Sequence, residues 1–379
     1  MKIAIVHDQL QEFGGAERVL VALKRIFPKA DVFTSFYNPK ALGIHAEKFR
    51  NWNIVTSWAD KVPLLKRLYS PLRFITPQIW EGFDFGKYQL VISSSGSYMS
   101  KGVVTKPPTK HVCYLHHPPR YLYYYETAIE WQKYWPVKVY GHLINHHLRL
   151  YDYLSSQRVD QFIANSKETQ KRIAKFYRRD STVIYPPVSL PEPQPANPPT
   201  LELSNSLTRQ PVNYYLTVSR LARAKHVDVL IDAANQRRFQ LKVVGSGRDA
   251  GRLRSLAGPT VEVLEHVDDQ ALAQLYRNAR AYLFAAVDEE FGIAPVEAMG
   301  YGLPVIAYAS GGLKETVTNG KNGYLYHRLS PESLVAALTT LDKLSDGEYQ
   351  QMRRASRQAA EKYTETAFKQ NILRFVAGV

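Results

Sequence analysis

The chain has one cysteine, Cys113, in 379 residues. That excludes an internal disulfide and any metal cluster built on cysteine thiolates, and a cytosolic compartment is expected. No run of ~18 uncharged apolar residues occurs, so no transmembrane helix is expected. The opening Lys2-Ile3-Ala4-Ile5-Val6 lacks the pattern of a signal peptide and reads as a buried strand. Acidic residues are scarce beside basic ones, 34 against 49, which leaves a net charge of +15. A surface this basic attracts nucleic acid, anionic lipid headgroups or phosphorylated ligands, unless the charge serves solubility alone. No zinc-finger spacing and no aromatic RNA-binding signature is present. The expected partners are therefore a diphosphate ligand and an anionic membrane surface at the inner face of the cell, with no nucleic acid.

Short apolar strands alternate with helical patterns throughout, the signature of parallel α/β sheets. A first series of strands is expected near 2–6, 31–34, 90–94, 111–115, 162–165 and 183–185. A second is expected near 214–218, 241–244, 261–264, 281–284, 305–307 and 324–326. Between them stand Pro186, Pro187, Pro191, Pro193, Pro195, Pro198 and Pro199. So many prolines forbid a regular helix or central strand. The expected organisation is a Rossmann-like domain over 1–188, a linker over 189–211, a second Rossmann-like domain over 212–362 and a last helix within 363–379. Two doubly wound domains facing a cleft would bind ligands at the carboxyl ends of their strands.

The most informative string is Asp288-Glu289-Glu290-Phe291-Gly292-Ile293-Ala294-Pro295-Val296-Glu297. It places one carboxylate in the loop after an apolar strand and another at the start of the next helix. Such a pair can grip a polyhydroxylated ligand from two sides. Ser219-Arg220-Leu221 ends a strand and Lys225 follows in the loop, so two cations can neutralise a diphosphate as its charge develops. Gly311-Gly312 precedes a helix whose N-terminus can receive a phosphate oxygen or a sugar. Gly14-Gly15, after the first strand, has the same capacity. Val244-Gly245-Ser246-Gly247 lies at another strand end, but its spacing to Gly251 is not the dinucleotide fingerprint.

With Ala298-Met299-Gly300-Tyr301-Gly302-Leu303-Pro304 and Ser310-Gly311-Gly312-Leu313-Lys314-Glu315, the glutamate string resembles the donor-sugar site of glycosyltransferase family 4, the retaining enzymes of GT-B fold. Cys113-Tyr114-Leu115-His116-His117-Pro118-Pro119-Arg120-Tyr121 is similar to a segment of bacterial GDP-mannose-dependent mannosyltransferases in that family. The resemblance implies an α/β GT-B architecture whose C-terminal helix returns to the first domain. It implies that His116, Arg220, Lys225 and Glu289 serve the chemistry, with His116 beside the reacting sugar. Glu297 would bind ribose hydroxyls, and the backbone of Phe291, Gly292 and Ile293 would complete the sugar pocket. Gly14, Gly15, Gly245, Gly311 and Gly312 would approach the diphosphate, and the backbone of His266 and Val267 would touch the nucleobase. Arg120 and Tyr121 would bind substrate beside His116, and Asn165 would lie near the acceptor side, although a helix cap is a sufficient explanation for Asn165. Glu290 stands where the family often has glycine.

No metal or other cofactor is expected. The histidines 142 and 146 lie one helical turn apart without the glutamate of a zinc-protease motif. The implied activity is transfer of a hexose, mannose from GDP-mannose first, to a saccharide or lipid-linked acceptor hydroxyl. The alternatives are a UDP-sugar-dependent enzyme of the same fold, a sugar-nucleotide hydrolase, epimerase or phosphorylase, and a non-catalytic nucleotide-sugar binder. Two stretches, 61–74 and 120–153, are basic and aromatic and suit either core helices or a membrane interface.

Overall fold

The computed structural model describes residues 1–127, 134–192, 214–265 and 267–379. The chain forms two compact units, Met1–Pro187 with Glu365–Val379, and Val188–Thr364. Trp131 and most of the proline-rich stretch, residues 193–213, lie outside the described residues.

The first unit holds a seven-stranded sheet of β1 (Ile3–His7), β2 (Asp31–Thr34), β3 (Ile54–Thr56), β4 (Leu90–Ser95), β5 (Lys110–Leu115), β6 (Gln161–Ala164) and β7 (Ser181–Val183). Its order is β3-β2-β1-β4-β5-β6-β7, and every pairing is parallel. Parallel strands covered on both faces need continuous apolar runs, and Ile3-Ala4-Ile5-Val6 and Leu90-Val91-Ile92 supply them at the sheet centre. The expectation lacked β3, whose half-buried Ile54-Val55-Thr56 is too short to show a period. It also set the last strand two residues late, because the apolar Val183-Ile184-Tyr185 drew attention from the polar edge residues Ser181 and Thr182. The C-terminal helix Glu365–Ala377 belongs to this unit: Arg25 pairs with Glu365 at 2.8 Å and Phe368 packs edge-on to Tyr114.

The second unit holds a six-stranded parallel sheet of β8 (Tyr214–Val218), β9 (Gln240–Val244), β10 (Val261–Leu264), β11 (Ala281–Phe284), β12 (Val305–Tyr308) and β13 (Gly323–Tyr326), in the order β10-β9-β8-β11-β12-β13. Residues 188–192, partly within the expected linker, also belong here: Leu190 lies against Gly300 and Pro191 O accepts from Arg357 Nη2 at 2.8 Å.

Strand order reverses between β1 and β4 in the first unit and between β8 and β11 in the second. At such a switch point neighbouring loops leave the sheet in opposite directions and open a crevice at the carboxyl ends.

Candidate functional site

In the second unit the switch point brings together the loops after β8 and β11. Lys225 closes a short 3-10 turn, Arg223–Lys225, after β8, and Glu289 stands in the loop after β11. Their side chains meet, Lys225 Nζ donating to Glu289 Oε2 at 2.5 Å. The same Nζ lies 5.7 Å from the centre of the Phe284 ring. Both ends of the pair are partly open to solvent. Burial pushes the Tyr282 hydroxyl pKa upward, and it donates to Val218 O at 2.7 Å, so β11 is also tied to β8 at this end.

Two glycine pairs brace the loops that carry the charged groups. A Cβ on Gly311 would fall 1.9 Å from Glu289 O, and one on Gly312 would fall 2.2 Å from Glu290 O. Gly312 N–H donates to Glu289 O at 2.8 Å, and Ser310 Oγ accepts from Asp288 N at 2.9 Å. These glycines therefore hold the Glu289 loop. The helix expected after them is a single turn, Leu313–Thr316. Gly245 and Gly247 do the same for Arg220: Cβ atoms there would meet Ser219 O at 1.9 Å and Leu221 O at 2.1 Å. Arg220 itself is exposed between those two carbonyls.

Glu297 is the fifth residue of the helix Ile293–Gly300, one turn beyond the start expected for it, and is half-buried. Gly292 precedes that helix at φ +86°, which an L side chain rarely adopts. Ile293 is its first residue, while Phe291 and Glu290 are buried, Phe291 edge-on to Tyr363. Val267 follows β10, and His266 lies outside the described residues. Asp249, after the glycine loop, is bonded by Arg252 at 2.7 Å and paired with Arg223 at 3.3 Å. The hydrogen bonds from Arg252 hold its carboxyl below the usual carboxylate range.

In the first unit β5 delivers His116 to its carboxyl end, where it is buried with Nε2 2.8 Å from Ser94 Oγ. Gly14 and Gly15 open the helix Gly15–Ile26, but the Gly14 N–H is taken by Glu17 Oε2 at 2.7 Å. Arg120 and Tyr121 begin a 3-10 turn, and the Arg73 guanidinium lies 4.1 Å from the Tyr121 ring centre. The cap of the helix Lys167–Tyr177 is Ser166, whose Oγ accepts from Thr169 N at 3.0 Å; Asn165 Oδ1 accepts from the Ser166 hydroxyl instead. A neighbouring serine outcompetes Asn165 because it holds the extended conformation of the cap position.

Four buried polar residues escaped the sequence reading. His7 ends β1 and Asp8 follows it, Glu17 is in the first turn of the next helix, and Ser94 is the last residue but one of β4. Asp8 accepts three backbone N–H groups, from Gly96, Tyr98 and Ser100, at 2.7–3.0 Å. The signal available was a polar pair directly after four apolar residues and a serine triplet closing an apolar strand. Among the described residues no group of three His, Cys, Asp or Glu side chains could hold a metal ion.

Two family models cover most of the chain. Glycosyltransferase Family 4 matches residues 13–191, and Glycosyl transferases group 1 matches residues 202–362. The chain belongs to glycosyltransferase family 4. It is 32% identical over 232 residues to the GtfA subunit of the UDP-N-acetylglucosamine–peptide N-acetylglucosaminyltransferase of Streptococcus gordonii, covering 56% of this chain and 44% of that relative. With the Streptococcus pneumoniae counterpart, of which 47% is covered, it spans about half the length of the curated relatives it matches. It is 24% identical over 375 residues to the alpha-1,3/1,6-mannosyltransferase ALG2 of Kluyveromyces lactis, covering 84% of this chain and 71% of that relative. Its fold is that of Anabaena HepE, solved in complex with UDP and glucose, with a TM-score of 0.69, 18% identity and complete coverage of both chains. This GT-B fold accounts for the paired doubly wound sheets.

Proposed function

We propose that this family 4 chain is a retaining, metal-independent glycosyltransferase that moves a hexose from a nucleotide diphosphate sugar to an acceptor hydroxyl. The observation that carries the reading is the Lys225–Glu289 pair at the switch point of the second unit. A cation and a carboxylate side by side suit the two ends of the donor, diphosphate and sugar. Arg220 and Lys225 would neutralise the diphosphate as its bond to the anomeric carbon breaks, a role for fixed charge that needs no metal. Glu289 would accept hydrogen bonds from sugar hydroxyls and Glu297 from the ribose; charge-assisted bonds of this kind are about twice as strong as neutral ones. The acceptor oxygen bonds to the anomeric carbon on the face the diphosphate leaves, and its proton passes to the departing phosphate. His116 would hydrogen-bond a substrate hydroxyl.

Mannose from GDP-mannose is the first choice of donor. The segment from Tyr114 to Tyr121 supports it, as does the likeness to a mannosyltransferase. A UDP-sugar is the second reading, favoured by the likeness to a UDP-N-acetylglucosamine enzyme and to a fold solved with UDP. The acceptor is proposed to be a saccharide or lipid-linked saccharide met at an anionic membrane surface, supported by exposed apolar side chains among cations in the first unit.

The deciding experiment is a thermal-shift comparison of GDP, UDP, ADP and their sugar conjugates, since a ligand of the native state raises the melting temperature by mass action. Stabilisation by GDP, with GDP-mannose at least as effective, is the expected result. A preference for UDP replaces the sugar and keeps the mechanism. No response to any nucleotide overturns the donor-site assignment.

A further inference from the structure

At the switch point of the first unit, four buried side chains form one hydrogen-bonded series. His116 Nε2 lies 2.8 Å from Ser94 Oγ, and Ser94 Oγ lies 3.1 Å from His7 Nδ1. His7 Nε2 lies 3.3 Å from Glu17 Oε1, while Glu17 Oε2 accepts the Gly14 N–H at 2.7 Å. The series starts from β1 and its following helix, passes through the end of β4 and finishes at the end of β5.

Its direction follows from donor and acceptor chemistry. An ionised carboxylate can only accept, so the proton between Glu17 and His7 sits on His7 Nε2. A neutral His7 then has a bare Nδ1, which accepts the Ser94 hydroxyl proton. Ser94 Oγ, having given its proton to His7, can only accept from His116. His116 Nε2 therefore carries the proton and its Nδ1 is the basic nitrogen. We infer that Glu17, acting through His7 and Ser94, sets which ring nitrogen of His116 is protonated. The relay bears on transfer only through the role proposed for His116.

The main chain at His116 is held independently of the relay. Its N–H donates to Ser95 O at 2.8 Å, and its carbonyl accepts from Thr169 Oγ1 at 3.2 Å. The proton can thus be redirected without moving the backbone that carries the ring. Glu17, His7 and Ser94 are positioning residues in this scheme.

Glu17→Gln tests it. The new amide keeps the shape of the carboxylate. Its oxygen must face the Gly14 N–H, so its NH₂ faces His7 Nε2. His7 then donates from Nδ1 to Ser94, Ser94 donates to His116 Nε2, and the proton of His116 moves to Nδ1. Long-range ¹H–¹⁵N correlation of the histidine rings reads this directly at about pH 8.5, two units above the ordinary histidine value. The expected result is a protonated Nε2 on His116 in the wild type and a protonated Nδ1 in the variant. The same tautomer in both, or a protonated Nδ1 in the wild type, overturns the inference. Should Glu17→Gln not fold, Ser94→Ala serves instead: the Nε2–H share of His116 should fall, and an unchanged share overturns the relay. The spectrum does not depend on any transfer activity. Where the proposed function also holds, Glu17→Gln should lower kcat about tenfold, the effect of one misdirected hydrogen bond to substrate, with the donor KM little changed. A swapped tautomer with unchanged kcat upholds the relay and removes His116 from the transfer step.

Discussion

Lys225 Nζ and Glu289 Oε2 lie 2.5 Å apart, joining the loops that leave β8 and β11 on the two sides of the switch point. The pair is part-exposed, with 23% and 19% of the side-chain surfaces open. Solvent therefore screens it, and exposed ion pairs contribute only ~0–1 kcal/mol to stability. Its position argues for use on a ligand instead. Lys225→Ala and Glu289→Gln should each reduce turnover by about 10²–10³, the loss seen when a transition-state charge contact is removed. The melting temperature should move by only a few degrees. Steady-state kinetics beside a melting curve checks this, and near-normal turnover would contradict the assignment.

Glycines 311 and 251 should respond oppositely to alanine. At Gly311 the backbone has φ +54° and a Cβ would lie 1.9 Å from Glu289 O. Gly311→Ala should cost about 1–3 kcal/mol, the range for forced backbone strain, and should cut turnover by displacing the Glu289 loop. Gly251 lies in the helix Ala250–Leu256 with nothing within 4 Å of a new Cβ. Gly251→Ala should stabilise by about 0.5–1 kcal/mol through helix propensity. Urea unfolding of both variants, with kinetics, provides the comparison.

That contrast also shows what the sequence made legible. Eleven of the thirteen strands could be placed within about a residue at either end, because central parallel strands are continuous apolar runs and Tyr214-Tyr215-Leu216 or Ala281-Tyr282-Leu283-Phe284 has no other reading. Ile54-Val55-Thr56 was illegible because three half-buried residues carry no period. Lys225 and Glu289 were legible as charges at strand ends, but their pairing was not, since strand order is a property of the whole sheet. Gly311 and Gly312 stood out as glycines. Their packing against the carbonyls of Glu289 and Glu290 is a property of the folded loops, because sequence distinguishes poorly between a glycine that admits a phosphate and one that admits a backbone. Ser94 was least visible: a serine in a buried strand looks like neutral filler until its two histidine neighbours are placed.

His111 should give the fold an acid-side weakness unrelated to the site. It is fully buried, with Nε2 2.8 Å from Ser93 Oγ, and burial lowers its pKa from 6.5 to about 4. Above 6.5 both the folded and unfolded states keep this imidazole neutral. Between 6.5 and about 4 the unfolded chain binds a proton that the folded chain refuses, so stability falls as pH falls. The loss should reach about 3 kcal/mol by the bottom of that window. In His111→Gln that contribution is absent, so the decline from about pH 7.5 to about pH 4.5 should be shallower by ~2–3 kcal/mol. Denaturant titrations of both proteins at the two pH values measure the difference, and parallel declines would show that His111 is already charged in the fold.

The exposed face of the helix Trp135–Gln157 should bind anionic membrane. Among the described residues, Trp135 and Leu143 are 77% and 65% exposed, and Val139 stands between them one turn from each. The Tyr140 hydroxyl donates to Pro71 O, which brings this helix beside the stretch bearing exposed Leu64, Leu68 and Phe74. Lys61 and Lys138 are exposed in the same two stretches. Apolar side chains set among lysines suit the headgroup region, each cation near an anionic surface being worth about 1 kcal/mol. No described helix is long and apolar enough to cross a membrane, so the contact would be interfacial. Co-sedimentation should therefore show binding to vesicles containing phosphatidylserine at low salt and much less to purely zwitterionic vesicles. Trp135→Glu with Leu143→Glu should weaken binding more than about tenfold by removing buried apolar area and adding repulsion. Both positions are exposed, so the melting temperature should hold. Equal binding by the double variant would assign the attraction to the net charge of +15 alone, and no binding at low salt would remove the membrane from the account of the acceptor.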